Sequence, residues 1–250
     1  SRDVMNKLAR STLALYSYDP DPENKALEAE MLKAVQLIAR YPVIVAHAFA
    51  CKRHYYDNES LYLHRPQEGL SVAENFLYSV RHDNQFTQDE ARLLDLCLVL
   101  HMEHGGGNNS AFACRVLSSS GTDIYSAIAA AVGSLKGPKH GGANMKVMEM
   151  FGHIERDVSD WKDEDAVSSY LEQLLRRQAG DRSGLIYGMG HAIYTLSDPR
   201  AVLLKRFARR VAEKKDMLDE FELFETVERL APEVFHRVTG QDKVMCANVD

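Results

Sequence analysis

Three histidines in this sequence stand directly against glycines: His104 before Gly105-Gly106-Gly107, His140 before Gly141-Gly142, and His191 after Gly190. Glycine has no side chain and accepts positive φ, so backbone and ligand can approach a neighbouring imidazole closely. Arg200 follows shortly after His191, and the sequence ends on Asp250. A neutral imidazole can polarise a carbonyl or hydrogen-bond an enol, an arginine fork grips a carboxylate, and a carboxylate can take a proton α to a carbonyl. Together these groups fit carbon–carbon bond formation on a dicarboxylate. Whether the three rings converge is left open by the residues alone.

Other readings of the same residues are weaker. His101, Glu103 and His104 do not have the HExxH spacing of a zinc helix and no third ligand is legible, so no metal is expected. Gly105 to Gly107 lack both the preceding strand and the Gly-Lys-Ser/Thr ending of a phosphate loop. His47 and His54 read as packed or solvated helix histidines.

The elements that must position these groups read as helices. Amphipathic patterns cover residues 3–16 and 26–40, and Pro42 is expected to start a new segment, 43–50. Ser71 with Glu74, and Thr87 with Glu90, form capping boxes ahead of residues 75–80 and 91–101. The second of these helices is apolar on nearly every side and is expected to be buried. Asp123 caps a small-residue helix that ends at Gly137-Pro138, between two of the histidines. Helices over 144–151, 166–179 with Gly180 as cap, 200–215 behind Asp198-Pro199, and 219–230 before Pro232 complete the pattern. No segment alternates as a strand would, and the fold class is all-α.

Composition sets the outer bounds. The chain has 250 residues, 45% hydrophobic and 26% charged, values ordinary for a globular protein. A net charge of −6 gives no basic footprint for nucleic acid. The four cysteines, Cys51, Cys97, Cys114 and Cys246, form no CxxC pair, which points to the cytoplasm rather than to a disulfide framework. No uninterrupted run of eighteen apolar residues is present, so no membrane span is expected. The start at Ser1 and the apolar approach to Asp250 read as a piece of a longer chain.

Four segments resemble the active-site signatures of the citrate synthase family: Glu103-His104-Gly105-Gly106-Gly107-Asn108, Gly137-Pro138-Lys139-His140-Gly141-Gly142-Ala143-Asn144, Gly188-Met189-Gly190-His191-Ala192 with Asp198-Pro199-Arg200, and Asn248-Val249-Asp250. They occur in the family's order and with its spacing. The resemblance implies a two-domain, multi-helical enzyme of the tricarboxylic acid cycle, an acyltransferase that condenses acetyl-CoA with oxaloacetate to citrate and CoA. It implies residues 1–139 as part of the large domain and 140–250 as the small domain, incomplete at both ends, in a homodimer.

By motif match, Asp250 takes the methyl proton, His140 hydrogen-bonds the thioester oxygen as the enol forms, and His191 polarises the keto group of oxaloacetate, which His104 and Arg200 hold. Leu185, Ile186, Gly188 and Gly190 match the turn that receives CoA. Lys243 matches a position that can contact CoA phosphate, and its alternative is a solvated lysine. Thr195 stands where some members carry a CoA-binding arginine. Acetyl-CoA is a co-substrate, and no cofactor is implied. Because the arginines that follow Asp250 in the family are absent, the 250 residues alone are expected to turn over poorly. A 2-methylcitrate synthase using propionyl-CoA, and a non-catalytic CoA-binding helical module, are the competing readings.

Overall fold

The computed structural model describes residues 1–102, 105–190, 198–241 and 245–249. These residues form ten α-helices and one 3-10 turn, with no strand among them. The chain divides into two compact units, residues 1–141 and 142–250. His140 falls in the first of these units, beside its last residue, Gly141.

The first unit contains α1 (Val4–Leu15), α2 (Leu27–Asp57), α3 (Val72–Val80), α4 (Gln88–Leu100), α5 (Asn109–Ser118) and α6 (Ile124–Leu135), with the 3-10 turn Tyr16–Tyr18 after α1. Helix α6 packs on α1, α2 and α5, and α2 also packs on α1 and α3. Its buried residues include Tyr125, Ala127, Ala129 and Val132, small side chains that let helices approach closely around one large ring. The Tyr125 hydroxyl donates to Asp19 at 2.7 Å. Burial first, and the Asp19 carboxylate second, push the phenol up to about 12, so it remains a donor at any physiological pH.

Both expected capping boxes are present, at Ser71/Glu74 and at Thr87/Glu90. Two expected helix ends are not. Helix α2 runs through Pro42 as a single element, and the last helix continues through Pro232 to Thr239. A proline removes one helical hydrogen bond and crowds the preceding turn, at a cost of about 3 kcal/mol. Buried Leu230, Ala231 and Val234 on both sides of Pro232 offset that cost.

Helix α4 also departs from expectation. Leu98 and Val99 are 41% and 54% exposed, and only Glu90 and Ala91 are buried. Apolarity all round a helix measures what the helix could bury, whereas α3 is the neighbour on which it packs. Helix α2 is, among the described helices, the one long and apolar enough to cross a membrane, with a mean hydropathy of 1.4 over an eighteen-residue window. Its Lys33 donates to the Pro22 and Asn24 carbonyls at 2.9 Å each, and its Ala46 and Ala48 are buried, contacts of a helix packed within a folded unit.

The second unit contains α7 (Ala143–Asp157), α8 (Glu164–Leu175), α9 (Pro199–Lys214) and α10 (Leu218–Thr239). Its core joins Ile154 of α7, Val167 and Leu171 of α8, and Leu223, Val227 and Val234 of α10. Phe151 and Phe224 meet edge to face with centroids 4.1 Å apart. Helix α8 ends at Leu175, before the expected Gly180, because the chain turns early: Arg177 adopts φ +62° and Gly180 follows at φ +58°. Asp198 caps α9 by accepting from the Arg200 amide, with Pro199 in the first turn as expected.

Candidate functional site

In the first unit, the residues around His140 form a tight turn. The Gly137 carbonyl, just beyond α6, accepts from the amides of His140 at 2.9 Å and Gly141 at 3.0 Å. A Cβ on Gly141 would lie 2.0 Å from the Leu135 carbonyl oxygen, so this close approach requires glycine. The ring is fixed from a second direction. Asn108 caps α5 by accepting from the Ser110 and Ala111 amides, and Ser110 in that first turn places its Oγ 2.8 Å from His140 Nε2. Asn109 Nδ2 donates to Ser134 Oγ at 2.8 Å, tying α5 to the end of α6. Helix α5 itself was not anticipated. Its Asn-Ser-rich start has no apolar period, although Asn108 after the glycines is a cap signal.

In the second unit, Arg200 sits in the first turn of α9. Its Nε and Nη2 reach the two oxygens of Asp198 at 3.1 Å and 2.7 Å, a bidentate pair in which the aspartate side chain is fully buried. Asp198 thus both caps the helix and orients the guanidinium.

The turn that contains Leu185, Ile186, Gly188 and Gly190 is held against the 245–249 segment. The Gly190 amide donates to the Cys246 carbonyl at 2.8 Å, and the Asn248 amide donates to the Gly188 carbonyl at 2.8 Å, as a single antiparallel bridge. Two of the expected motif regions are thereby brought side by side. Gly188 and Gly190 adopt φ +79° and +92°, which other residues do so only at a cost. Ile186 is buried and anchors the turn in the core, while Leu185 is exposed. A cleft of about 1130 Å³ opens beside this pairing, lined among others by Gly188, Met189, Asp198, Ala201, Asn248 and Val249. His104, His191, Lys243 and Asp250 lie outside the described residues.

A family model described as the C-terminal domain of citrate synthase matches residues 1–250. The chain belongs to the citrate synthase family. It is 34% identical over 226 residues to the citrate synthase of Deinococcus radiodurans, covering 90% of this chain and 55% of that protein. It is 33% identical over 227 residues to the citrate/2-methylcitrate synthase of Bacillus subtilis, covering 90% of this chain and 56% of that protein. The crystal structure of citrate synthase from Pyrobaculum aerophilum superposes with a TM-score of 0.71 at 26% identity, covering 99% of this chain and 58% of that one. The chain thus spans about half the length of the curated relatives it matches.

Within this citrate synthase segment, sequence reading did not single out Ser110, nor the orienting role of Asp198 beyond its cap. Ser110 lies thirty residues from His140 in sequence, and the contact follows from the packing of α5 on α6. The signal for Asp198 was present in its position two residues before Arg200, at an N-cap, where a carboxylate can reach a guanidinium within the first turn.

Proposed function

We propose that the protein containing this chain condenses acetyl-CoA with oxaloacetate to form citrate and free CoA. The observation that carries this reading is the Ser110 to His140 contact, which holds the ring in one orientation at the motif position that meets the thioester. When the serine hydroxyl donates, Nε2 accepts and the ring proton sits on Nδ1, from which it can be donated to a carbonyl oxygen. A donor fixed in advance stabilises the oxyanion as it develops and needs no reorganisation at the moment of reaction.

The steps follow from the groups. Asp250 removes a proton from the acetyl methyl carbon while His140 hydrogen-bonds the thioester oxygen, giving the enol. The enol carbon attacks the keto carbon of oxaloacetate, and His191 supplies the proton to the forming alkoxide. Water then cleaves the citryl thioester and releases the CoA thiol. Arg200 and His104 hold the dicarboxylate, with Arg200 pre-aimed by Asp198. The Leu185 to Gly190 turn, with two amide-carbonyl pairs fixing its end, receives the coenzyme.

Propionyl-CoA is the second acyl donor to weigh, because one relative bears both the citrate and the 2-methylcitrate names. One methylene in an acyl pocket is worth only about 1–3 kcal/mol, so both substrates are compatible with the same catalytic groups. Oxaloacetate-dependent CoA release, compared for the two thioesters at equal concentration, tests the reaction and ranks the donors.

A further inference from the structure

The turn assigned to the coenzyme is shaped from outside by one carboxylate. Asp181 Oδ1 accepts from the Ser183 amide at 3.0 Å, and its Oδ2 accepts from the Tyr187 hydroxyl at 2.7 Å and from Lys146 Nζ at 3.4 Å. The arc from residue 181 to residue 187 is thus closed by its own side chains. Lys146 lies in the first turns of α7, pairs also with Glu149 at 2.7 Å, and sits 5.9 Å from the centroid of the Tyr187 ring. The next residue on α7, Val147, meets the same turn at its other end, where a Cβ on Gly188 would lie 3.1 Å from Val147 Cγ2. One turn of α7 therefore braces both ends of the arc, Lys146 through charge and Val147 through contact. Hydrogen bonding from Ser183 first, and from the Tyr187 hydroxyl next, holds the Asp181 carboxyl well below the usual carboxylate range, so the brace persists throughout the neutral range.

We propose that Asp181 is a positioning residue for the acyl-CoA co-substrate: by joining Ser183, Tyr187 and Lys146 it fixes the 181–187 arc, so that the exposed Leu185 and the amides that follow are presented in the binding conformation. This rests on the reading of the turn as the coenzyme site. Asp181 touches neither the reacting atoms nor Arg200. A turn that is not held in advance must be ordered on binding, and that cost appears in coenzyme affinity.

The test uses the complete protein and two variants, Asp181→Asn and Tyr187→Phe. Steady-state kinetics are measured with acetyl-CoA and oxaloacetate, and free CoA binding is measured by calorimetry. Loss of charge-assisted bonds predicts a KM for acetyl-CoA raised about five- to tenfold and CoA binding weakened by a similar factor, with kcat and the oxaloacetate KM within about twofold of wild type. A merely structural role would lower kcat and disturb both KM values together, and that result overturns the proposal. So do variants that bind CoA as wild type does while wild type turns over normally, an outcome that leaves the coenzyme reading of the turn intact. A wild-type protein that neither binds CoA nor releases it removes the coenzyme reading and this proposal with it.

Discussion

Ser110 Oγ and His140 Nε2 lie 2.8 Å apart, joining the first turn of α5 to the glycine turn that follows α6. The contact fixes a ring whose other nitrogen is the proposed donor to the thioester oxygen. Ser110→Ala removes the hydroxyl while leaving the Asn108 cap and the Asn109 to Ser134 tie in place. The expected outcome is a kcat lowered about ten- to a hundredfold, with the oxaloacetate KM little changed, because a misoriented donor loses transition-state stabilisation rather than substrate binding. Unchanged kcat would show that the ring needs no support from Ser110.

Asp198 serves two neighbours at once, the Arg200 amide and the Arg200 guanidinium. Asp198→Ala loses a cap worth about 1 kcal/mol and charge-assisted bonds worth roughly 1.5–3 kcal/mol more. Urea unfolding of the variant should show a loss of roughly 2–4 kcal/mol. Arg200→Gln, which takes the guanidinium away from the buried Asp198 carboxylate but leaves its cap to the Arg200 amide, should also lower urea stability and, in addition, raise the KM for oxaloacetate.

Acid pH should weaken the second unit through Asp157. Its carboxylate accepts from Arg156 and from the Tyr170 hydroxyl at 2.7 Å, and Arg156 first, then Tyr170, lower it from 3.8 to about 2. The folded value lies below the unfolded one, so between about 2 and 3.8 the unfolded chain binds more protons. The stabilisation is complete above that window and is lost as pH falls through it. Fluorescence of Trp161, the single tryptophan, reports locally, since its Nε1 donates to the Val158 carbonyl. Asp157→Asn should be less stable than wild type at pH 6, and the difference should shrink toward pH 2.

Leu171 of α8 is fully buried in the core of the second unit. Leu171→Ala should cost about 2–5 kcal/mol in urea unfolding, the range for a leucine removed from a packed interior. Leu185→Ala, at an exposed position in the turn proposed to receive the coenzyme, should cost little stability and act instead on the acyl-CoA KM.

What the sequence made legible was local. The two capping boxes, the Asp123 cap and the Asp198-Pro199 helix start each need only residues within one turn, and all are present. The all-α class followed from the same helical periodicities. Pro42 and Pro232 misled because a helix stop weighs a local penalty, whereas packing on both sides of the proline decides the outcome. The burial of α4 was misjudged for a related reason: a composition says how apolar a surface is, and its neighbours say whether it is covered. Of the candidate site, His140, Arg200 and the Leu185 to Gly190 turn could be named from motifs. Ser110 could not, since its contact with His140 comes from the packing of α5 on α6, and Asp181 could not, since its bonds to Ser183 and Tyr187 depend on the conformation of the loop and its bond to Lys146 on α7.

The most direct test of the account is oxaloacetate-dependent release of free CoA thiol from acetyl-CoA by the complete protein, beside its His140→Ala and Asp250→Ala variants. Release by the wild type and its loss in both variants, with each variant still folded, is the expected result. Absence of release from folded wild-type protein with either acetyl-CoA or propionyl-CoA would contradict it, and would leave a helical unit of the citrate synthase family that keeps the motifs without the condensation.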